Sequence, residues 1–383
     1  MQSIRTGPWP GAARGRTRLV DRRSLLAAAV ALPAAGVLAG ARAARAEEDA
    51  ATLGFVPDPA SVAKAKALLA RTGGADLHAH PGRADSGNFD ARVAQDLRAG
   101  FVTACSFAAV ADTTVLARSA TGITVGRDFQ PGEAIASYKR QIANLHAAAK
   151  ANRLTVLSTR RDVASLVPGR DVGVFLTVEG GDFLDEDVTR LAGAFADGVR
   201  CITLIHYRPN ALGDNQTSPP TRGGLTPFGA EVVKEMNRLG MLVDVAHAAE
   251  TTVRQVLERS SAPIICSHTI LKSPAFDHPR FITAETAKAV ASAGGLVGAW
   301  PCGFGATRMS EFVDRIFRLT DVVGPDHAAL GTDMDGNYMP VMTSYRQVPV
   351  LVSELLRRGY GEANAEKFIG GNFRRLWSKV LRG

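Results

Sequence analysis

The chain of 383 residues is 46% hydrophobic and 21% charged, which excludes a disordered polymer and suffices for one large α/β domain or two smaller ones. The net charge of +8 does not indicate a nucleic-acid partner: residues 1–46 carry eight Arg and one acid, whereas the other 337 carry 37 basic and 36 acidic side chains. The four cysteines, Cys105, Cys201, Cys266 and Cys302, lie in or just after apolar runs and lack zinc-finger spacing, so free buried thiols are expected.

In chain order, Asp21-Arg22-Arg23-Ser24-Leu25-Leu26 opens an Ala-, Leu- and Val-rich stretch that runs to about Ala41. Ala44-Arg45-Ala46 then offers a small-x-small cleavage site. Residues 1–46 resemble a twin-arginine export signal, which implies a periplasmic or secreted protein with no integral membrane span after processing; a retained membrane anchor is the alternative, set against it by Pro33 and the many small residues. A polar linker is expected over 47–60, and an alanine-rich helix from Ser61 to Ala70.

Eight apolar runs follow, mostly separated by helical patterns. The first is Ala75 to His80, broken by Pro81-Gly82, and the second is Phe101 to Val110. A long excursion with a helix from about Gly132 to Ala151 leads to the third, Val172 to Val178, ending in Glu179-Gly180-Gly181. The fourth is Val199 to Ile205, ending in His206, and a polar loop from Tyr207 to Thr226 comes after it. Thr226-Pro227 caps and starts a helix that ends at Gly240. The fifth to eighth runs are Met241 to Val245, Pro263 to Cys266, Gly295 to Trp300 and Ala328 to Leu330. Helices from Val348 to Arg358 and Asn372 to Leu381 close the chain. Eight buried strands alternating with helices predict a (β/α)8 barrel over 61–383. An open doubly wound sheet would want a glycine-rich phosphate loop after its first strand, and none is present.

Five of the eight histidines (His78, His80, His206, His247, His268) sit at or just past the ends of these runs, together with Glu179 and Asp333. In a barrel those ends share one face. His78 and His80 are two apart on an extended segment and point to one side, so both imidazoles reach one ion. Neutral nitrogen ligands with a carboxylate suit zinc. The pattern predicts a metal-dependent hydrolytic site with Asp333 as its proton carrier.

Glu179-Gly180-Gly181, Leu204-Ile205-His206, Gly224-Leu225-Thr226-Pro227-Phe228-Gly229, Val243-Asp244-Val245-Ala246-His247, Ser267-His268, His278-Pro279-Arg280, Gly331-Thr332-Asp333-Met334-Asp335-Gly336 and Gly370-Gly371-Asn372-Phe373 together resemble the membrane dipeptidase family of peptidases. The resemblance runs from about Asp76 to Trp377. It implies a barrel with two zinc ions bridged by a glutamate and a hydroxide. His78 and His80 would hold one ion, His247 and His268 the other, and Glu179 would bridge them. His206 would face the scissile carbonyl, Arg280 would hold the terminal carboxylate of a small peptide, and Asp333 would be the general acid/base. Members of this family often form homodimers.

The sequence departs from the family pattern at His78-Ala79-His80, where His-x-Asp is usual. Other metal-dependent amidohydrolase substrates, such as N-acyl amino acids, lactams or lactones, are the alternative, and a non-catalytic exported binding protein is the alternative of another class. Asp76 is expected to orient a ligand and Asp244 to be structural. Asp335 either binds substrate or caps a turn, His278 positions the Arg280 loop, and Trp300 either lines the pocket or fills the core.

Overall fold

The computed structural model describes residues 51–119, 122–274 and 276–382; the expected export signal lies outside them. Eight strands form the barrel wall: β1 (Gly74–Asp76), β2 (Val102–Val110), β6 (Gly173–Glu179), β7 (Val199–Thr203), β8 (Leu242–Asp244), β9 (Ile265–Thr269), β10 (Leu296–Ala299) and β11 (Ala328–Leu330). All neighbouring pairs in this order are parallel. The last strand returns to the first through Leu77 N–H on the Leu330 carbonyl at 2.9 Å and Asp333 N–H on the His78 carbonyl at 2.8 Å. Every one of these strands is buried except at the last residue of β2. That is why the sequence shows them as continuous apolar runs rather than alternating ones.

Helices cover the outside, among them α1 (Pro59–Thr72), α2 (Arg92–Ala99), α3 (Glu133–Ala151), α6 (Pro227–Leu239), α9 (Met309–Val323) and α10 (Val348–Arg357). Local chemistry sets their ends. Asp58 accepts Ser61 N–H at 2.8 Å to start α1, and Thr226 accepts Gly229 N–H at 2.9 Å to start α6. Gly240 closes α6 at φ 76°, a conformation costly for a side chain with a Cβ.

One residue from each barrel strand (Ala75, Ala104, Phe175, Cys201, Leu242, Ile265, Leu296, Ala329) meets Phe373, Leu376 and Trp377 of the last helix, α12 (Asn372–Val380). Phe175 packs 4.6 Å from the Trp377 ring, and Asn372 donates to the carbonyls of Pro325 and Ala328 at 2.8 and 2.9 Å. This helix closes the N-terminal end of the barrel. The opposite end stays open to chemistry.

The structure differs from the sequence expectation in several places. The first strand stops at Asp76, so His78 and His80 lie beyond it, braced by the single bridge Ala79–Met334. The strand β9 extends to Thr269 and contains His268. The excursion after β2 holds an antiparallel hairpin, β3 (Leu116–Ser119) with β4 (Gly122–Val125), which leaves Ile123 exposed and so lacks a buried apolar run. A two-residue strand, β5 (Thr155–Val156), pairs with β6 off the main path and is too short for a pattern to register. Within the expected linker, Leu53 is buried in the main core and Phe55 packs partly against it, while most of the described residues around them are exposed. All four cysteines are free and buried. Among the described residues no helix is long and apolar enough to cross a membrane.

Candidate metal centre

The parallel strands deliver their C-terminal residues to one face, and Glu179 at the end of β6 stands at its centre. Its Oε1 lies 3.3 Å from His78 Nε2, 3.1 Å from His247 Nε2 and 3.7 Å from His268 Nε2. Its Oε2 lies 3.4 Å from both His80 Nε2 and His206 Nε2. Asp333 Oδ1 is 3.4 Å from His80 Nε2. All seven side chains are buried. The five strand-end histidines and both acids singled out in the sequence therefore meet at one point.

Two of these residues have unusual backbones. His247 (φ 67°) and Asp333 (φ 52°) both sit in the left-handed region that non-glycine residues avoid. The turn after Asp333 is closed by Gly336, where an added Cβ would lie 2.6 Å from both Asp333 Oδ1 and His80 Cδ2. Strained backbones held by surrounding bonds are characteristic of sites where side chains must be aimed.

The nitrogen atoms face one another as well as the carboxylate. His78 and His80 Nε2 are 3.2 Å apart, and His247 and His268 Nε2 are 3.1 Å apart. Neutral imidazoles that close cannot all satisfy each other, whereas a cation between them satisfies every lone pair. Three triads have ligand atoms close enough to hold an ion: His78-His80-Glu179, Glu179-His247-His268 and His78-His268-Asp333. The donor set fits a divalent metal.

Electrostatics point the same way. Burial, then the Arg280 charge, holds His247 well below the usual imidazole range, and burial followed by His78 and Arg280 does the same to His268. Both stay neutral, as ligands must. Burial would raise Glu179, but His206, His78 and the hydrogen bonds from the imidazoles outweigh it and keep the carboxylate well below its ordinary range. Burial opposes charge on His80, yet Asp333 and Glu179 hold it well above the imidazole range. Carboxylates that attract a proton to this point also attract a metal ion.

A ring of polar residues orients the cluster. Asp244 accepts from Ser267 Oγ at 2.6 Å, from Ser267 N–H at 2.9 Å and from Thr203 Oγ1 at 2.6 Å. With its hydroxyl proton on Asp244, Ser267 Oγ accepts from His268 Nδ1 at 2.9 Å. His268 Nε2 is left with its lone pair turned inward. Asp76 takes Thr332 N–H at 2.9 Å, His78 N–H at 3.3 Å and Tyr345 OH at 2.8 Å, so it ties the first strand to the last. Burial pushes its carboxyl up to about 6 against those bonds. Asp76 and Asp244 thus act on the ligands rather than as ligands.

Arg280 is buried in the centre. Its Nη2 donates to His268 Nε2 at 2.7 Å and its Nη1 to Gln216 Oε1 at 3.1 Å, with the guanidinium 5.1 Å over the Trp300 ring. His278 Nδ1 accepts Arg280 N–H at 3.1 Å, which fixes the loop. Trp300 therefore lines the site. Asp335 is different: it is exposed and its Oδ2 accepts Gly82 N–H at 2.6 Å, which makes it the cap of a turn. Of the two roles that the sequence allows, the structure shows the turn cap.

Sequence reasoning missed Asp112, whose Oδ1 lies 2.7 Å from His206 Nδ1. Asp112 follows the second apolar run by two positions, the placement that singled out the other acids, but Ala111 extended the run and hid it. It also missed Gln216 in the polar loop. An open cavity of about 520 Å³ lies beside the cluster, lined by Phe129, Asp182, Arg208 and Asn210. There Arg208 pairs with Asp182 at 3.0 Å, and burial together with the Asp112 charge pushes the Asp182 carboxyl up to about 6.

The sequence pattern of the membrane dipeptidase family, peptidase family M19, matches residues 65–382. The chain belongs to that family. Among curated relatives of this family M19 chain, dipeptidase verJ of Clonostachys rogersoniana is 28% identical over 257 residues, 65% of this chain and 66% of that protein. Dipeptidase 3 of Rattus norvegicus is 32% identical over 216 residues, 53% of this chain and 44% of that protein. The matches thus span just under two thirds of one relative and under half of the other. A metallopeptidase from Rhodobacter sphaeroides, solved with a phosphinate mimic of the dipeptide L-Ala-D-Ala, aligns with a TM-score of 0.69 at 20% identity, over 81% of this chain and 99% of that one. That likeness establishes the family's barrel fold for this chain.

Proposed function

We propose that this chain is a zinc-dependent dipeptidase that hydrolyses the amide bond of short peptides. The observation that carries the reading is the meeting of five imidazoles and Asp333 on the Glu179 carboxylate in a buried pocket. His78, His80 and Glu179 would hold one ion, and His247, His268 and Glu179 the other. When bound, such ions lower the pKa of water and polarise a carbonyl.

The protein's own groups supply the rest. Asp333 takes a proton from the attacking water and gives it to the leaving amine, and its left-handed backbone aims the carboxylate inward. His206 turns Nε2 toward the centre, where its imidazolium form, protonated on both ring nitrogens, donates to the oxygen of the scissile carbonyl as charge develops there. Arg280 offers a planar fork for the peptide's terminal carboxylate, in exchange for its present contacts with His268 and Gln216. Because that guanidinium is buried beside the ligands, it sets a short distance between the carboxylate and the cleaved bond. Peptides of two residues fit such a ruler.

N-acyl amino acids present the same amide and carboxylate, and His80 gives the first ligand pair a more positive character than a carboxylate would. They are the second reading. Export through the twin-arginine route and pairing into a homodimer also belong to the proposal, on the residues of the 1–46 segment and on family resemblance.

The test is turnover by the purified chain on dipeptides of both chiralities and on N-acyl amino acids, before and after chelation. Zinc-restored dipeptide cleavage supports the first reading. Cleavage of the N-acyl compounds alone moves the substrate to the second, and no cleavage of either by zinc-loaded protein overturns both.

A further inference from the structure

Asp112 is fully buried two residues past the end of β2. Both its oxygens are spent on the segment after β7: Oδ1 on His206 Nδ1 at 2.7 Å and Oδ2 on Arg208 N–H at 2.9 Å. With both Asp112 oxygens accepting, the proton of this contact is on Nδ1. The other ring nitrogen, Nε2, then faces the Glu179 carboxylate at 3.4 Å, inside the metal cluster. The ring has little freedom to leave this pose. Asn215 Nδ2 donates to the carbonyls of His206 and Tyr207 at 3.0 and 2.8 Å. The ring itself meets the Tyr207 and His247 rings edge-on, each with centroids 4.6 Å away.

We propose that Asp112 is a positioning residue for His206: its contact with Nδ1 fixes the ring's rotation, so that Nε2 faces the substrate carbonyl. A carboxylate at zero exposure is costly to bury unless its bonds do specific work. A bond to one backbone N–H alone would anchor the loop without reaching the imidazole. The arrangement is that of an acid behind a histidine, where the acid sets tautomer and orientation and does not itself exchange protons with substrate. The inference rests on the peptide-hydrolysing reading of this site, because only there does His206 have a carbonyl to meet.

The test pairs kinetics with ring spectroscopy on the zinc-loaded full chain. Asp112→Asn is made alone and in a His206→Ala background, and a dipeptide cleaved by the wild type is used. Alone, the change is expected to lower kcat at least about 10-fold, the scale seen for partners that orient an active-site imidazole, with KM moving less than about threefold. In the His206→Ala background the same change alters kcat less than about twofold, because the interaction it removes is already gone. In two-bond ¹H–¹⁵N spectra the wild-type His206 shows a protonated Nδ1, and Asp112→Asn loses that signature. Equal losses in both backgrounds with an unchanged ring spectrum would make Asp112 a loop anchor and overturn the proposal. So would an unprotonated Nδ1 in the wild type, which is read without any variant should Asp112→Asn fail to fold. If the wild type cleaves no peptide, the functional reading fails by itself, while the spectrum still decides on Asp112.

Discussion

At the N-terminal end of the barrel, Phe175, Phe373 and Trp377 pack ring against ring, and each strand adds one small or apolar residue to the plug. At the C-terminal end, the same strands finish in imidazoles and carboxylates, with two left-handed backbones and nitrogen atoms about 3.1 to 3.2 Å apart. One end gains free energy by removing apolar area from water. The other end buries imidazoles and carboxylates within a few ångströms of one another, a set able to hold a metal ion. The comparison teaches that the plug and the layer of Asp76 and Asp244 must supply the stability that the metal centre spends on function.

The largest effect should come from the reactive end. Asp333→Asn should reduce kcat by roughly 10²- to 10⁴-fold, the range for a positioned proton carrier, with bound zinc unchanged by elemental analysis. Loss of metal along with activity would instead make Asp333 a ligand, as the triad with His78 and His268 allows. At the other end, Trp377→Ala should lower stability in urea by about 3–5 kcal/mol through the cavity it leaves, without changing the number of ions bound by the protein that remains folded. Intermediate between the two is Ser267→Ala. It cuts the path from Asp244 to His268 and should weaken zinc binding about 10- to 100-fold in a chelator competition, with little loss of thermal stability in the metal-free chain.

The smallest effect concerns pH. The Asp182 carboxyl is raised to about 6 in the folded chain, mainly by burial and then by Asp112, so folding favours its protonated form. The stability contributed by that proton is complete below about pH 4, where the unfolded carboxyl is protonated too, and is lost as pH rises through about 6. Asp182→Asn should therefore flatten the stability profile between about pH 4 and 7 by an amount of order 1 kcal/mol, measured by urea unfolding across that range. A profile unchanged by the substitution would mean that Arg208 holds the carboxylate ionised throughout.

Much of this was legible in the sequence, for a physical reason. Parallel strands buried on both faces must be apolar along their length, so a His or Glu at the end of such a run stands out. Glu179, His206, His247 and Asp333 are visible in that way. His78 and His80 are visible by their spacing, although the segment that carries them lies past the strand. What escaped depends on contacts between distant segments. Asp112 has meaning only once β2 and β7 place it against His206. Asp335 is open to two roles in the sequence, substrate contact or turn cap, and only the folded chain shows the cap on Gly82 N–H. The packing of Leu53 into the core, with Phe55 against it, follows from tertiary structure, since the short apolar stretch that carries them has no strand or helix period.

The most direct test of the metal centre is a zinc titration of the chelated chain, read by calorimetry and elemental analysis, with Glu179→Gln measured beside it. Two ions per wild-type chain, and weaker or incomplete binding in Glu179→Gln, is the predicted result. Absence of zinc binding by the wild type, or identical binding by both proteins, would contradict a centre bridged by Glu179.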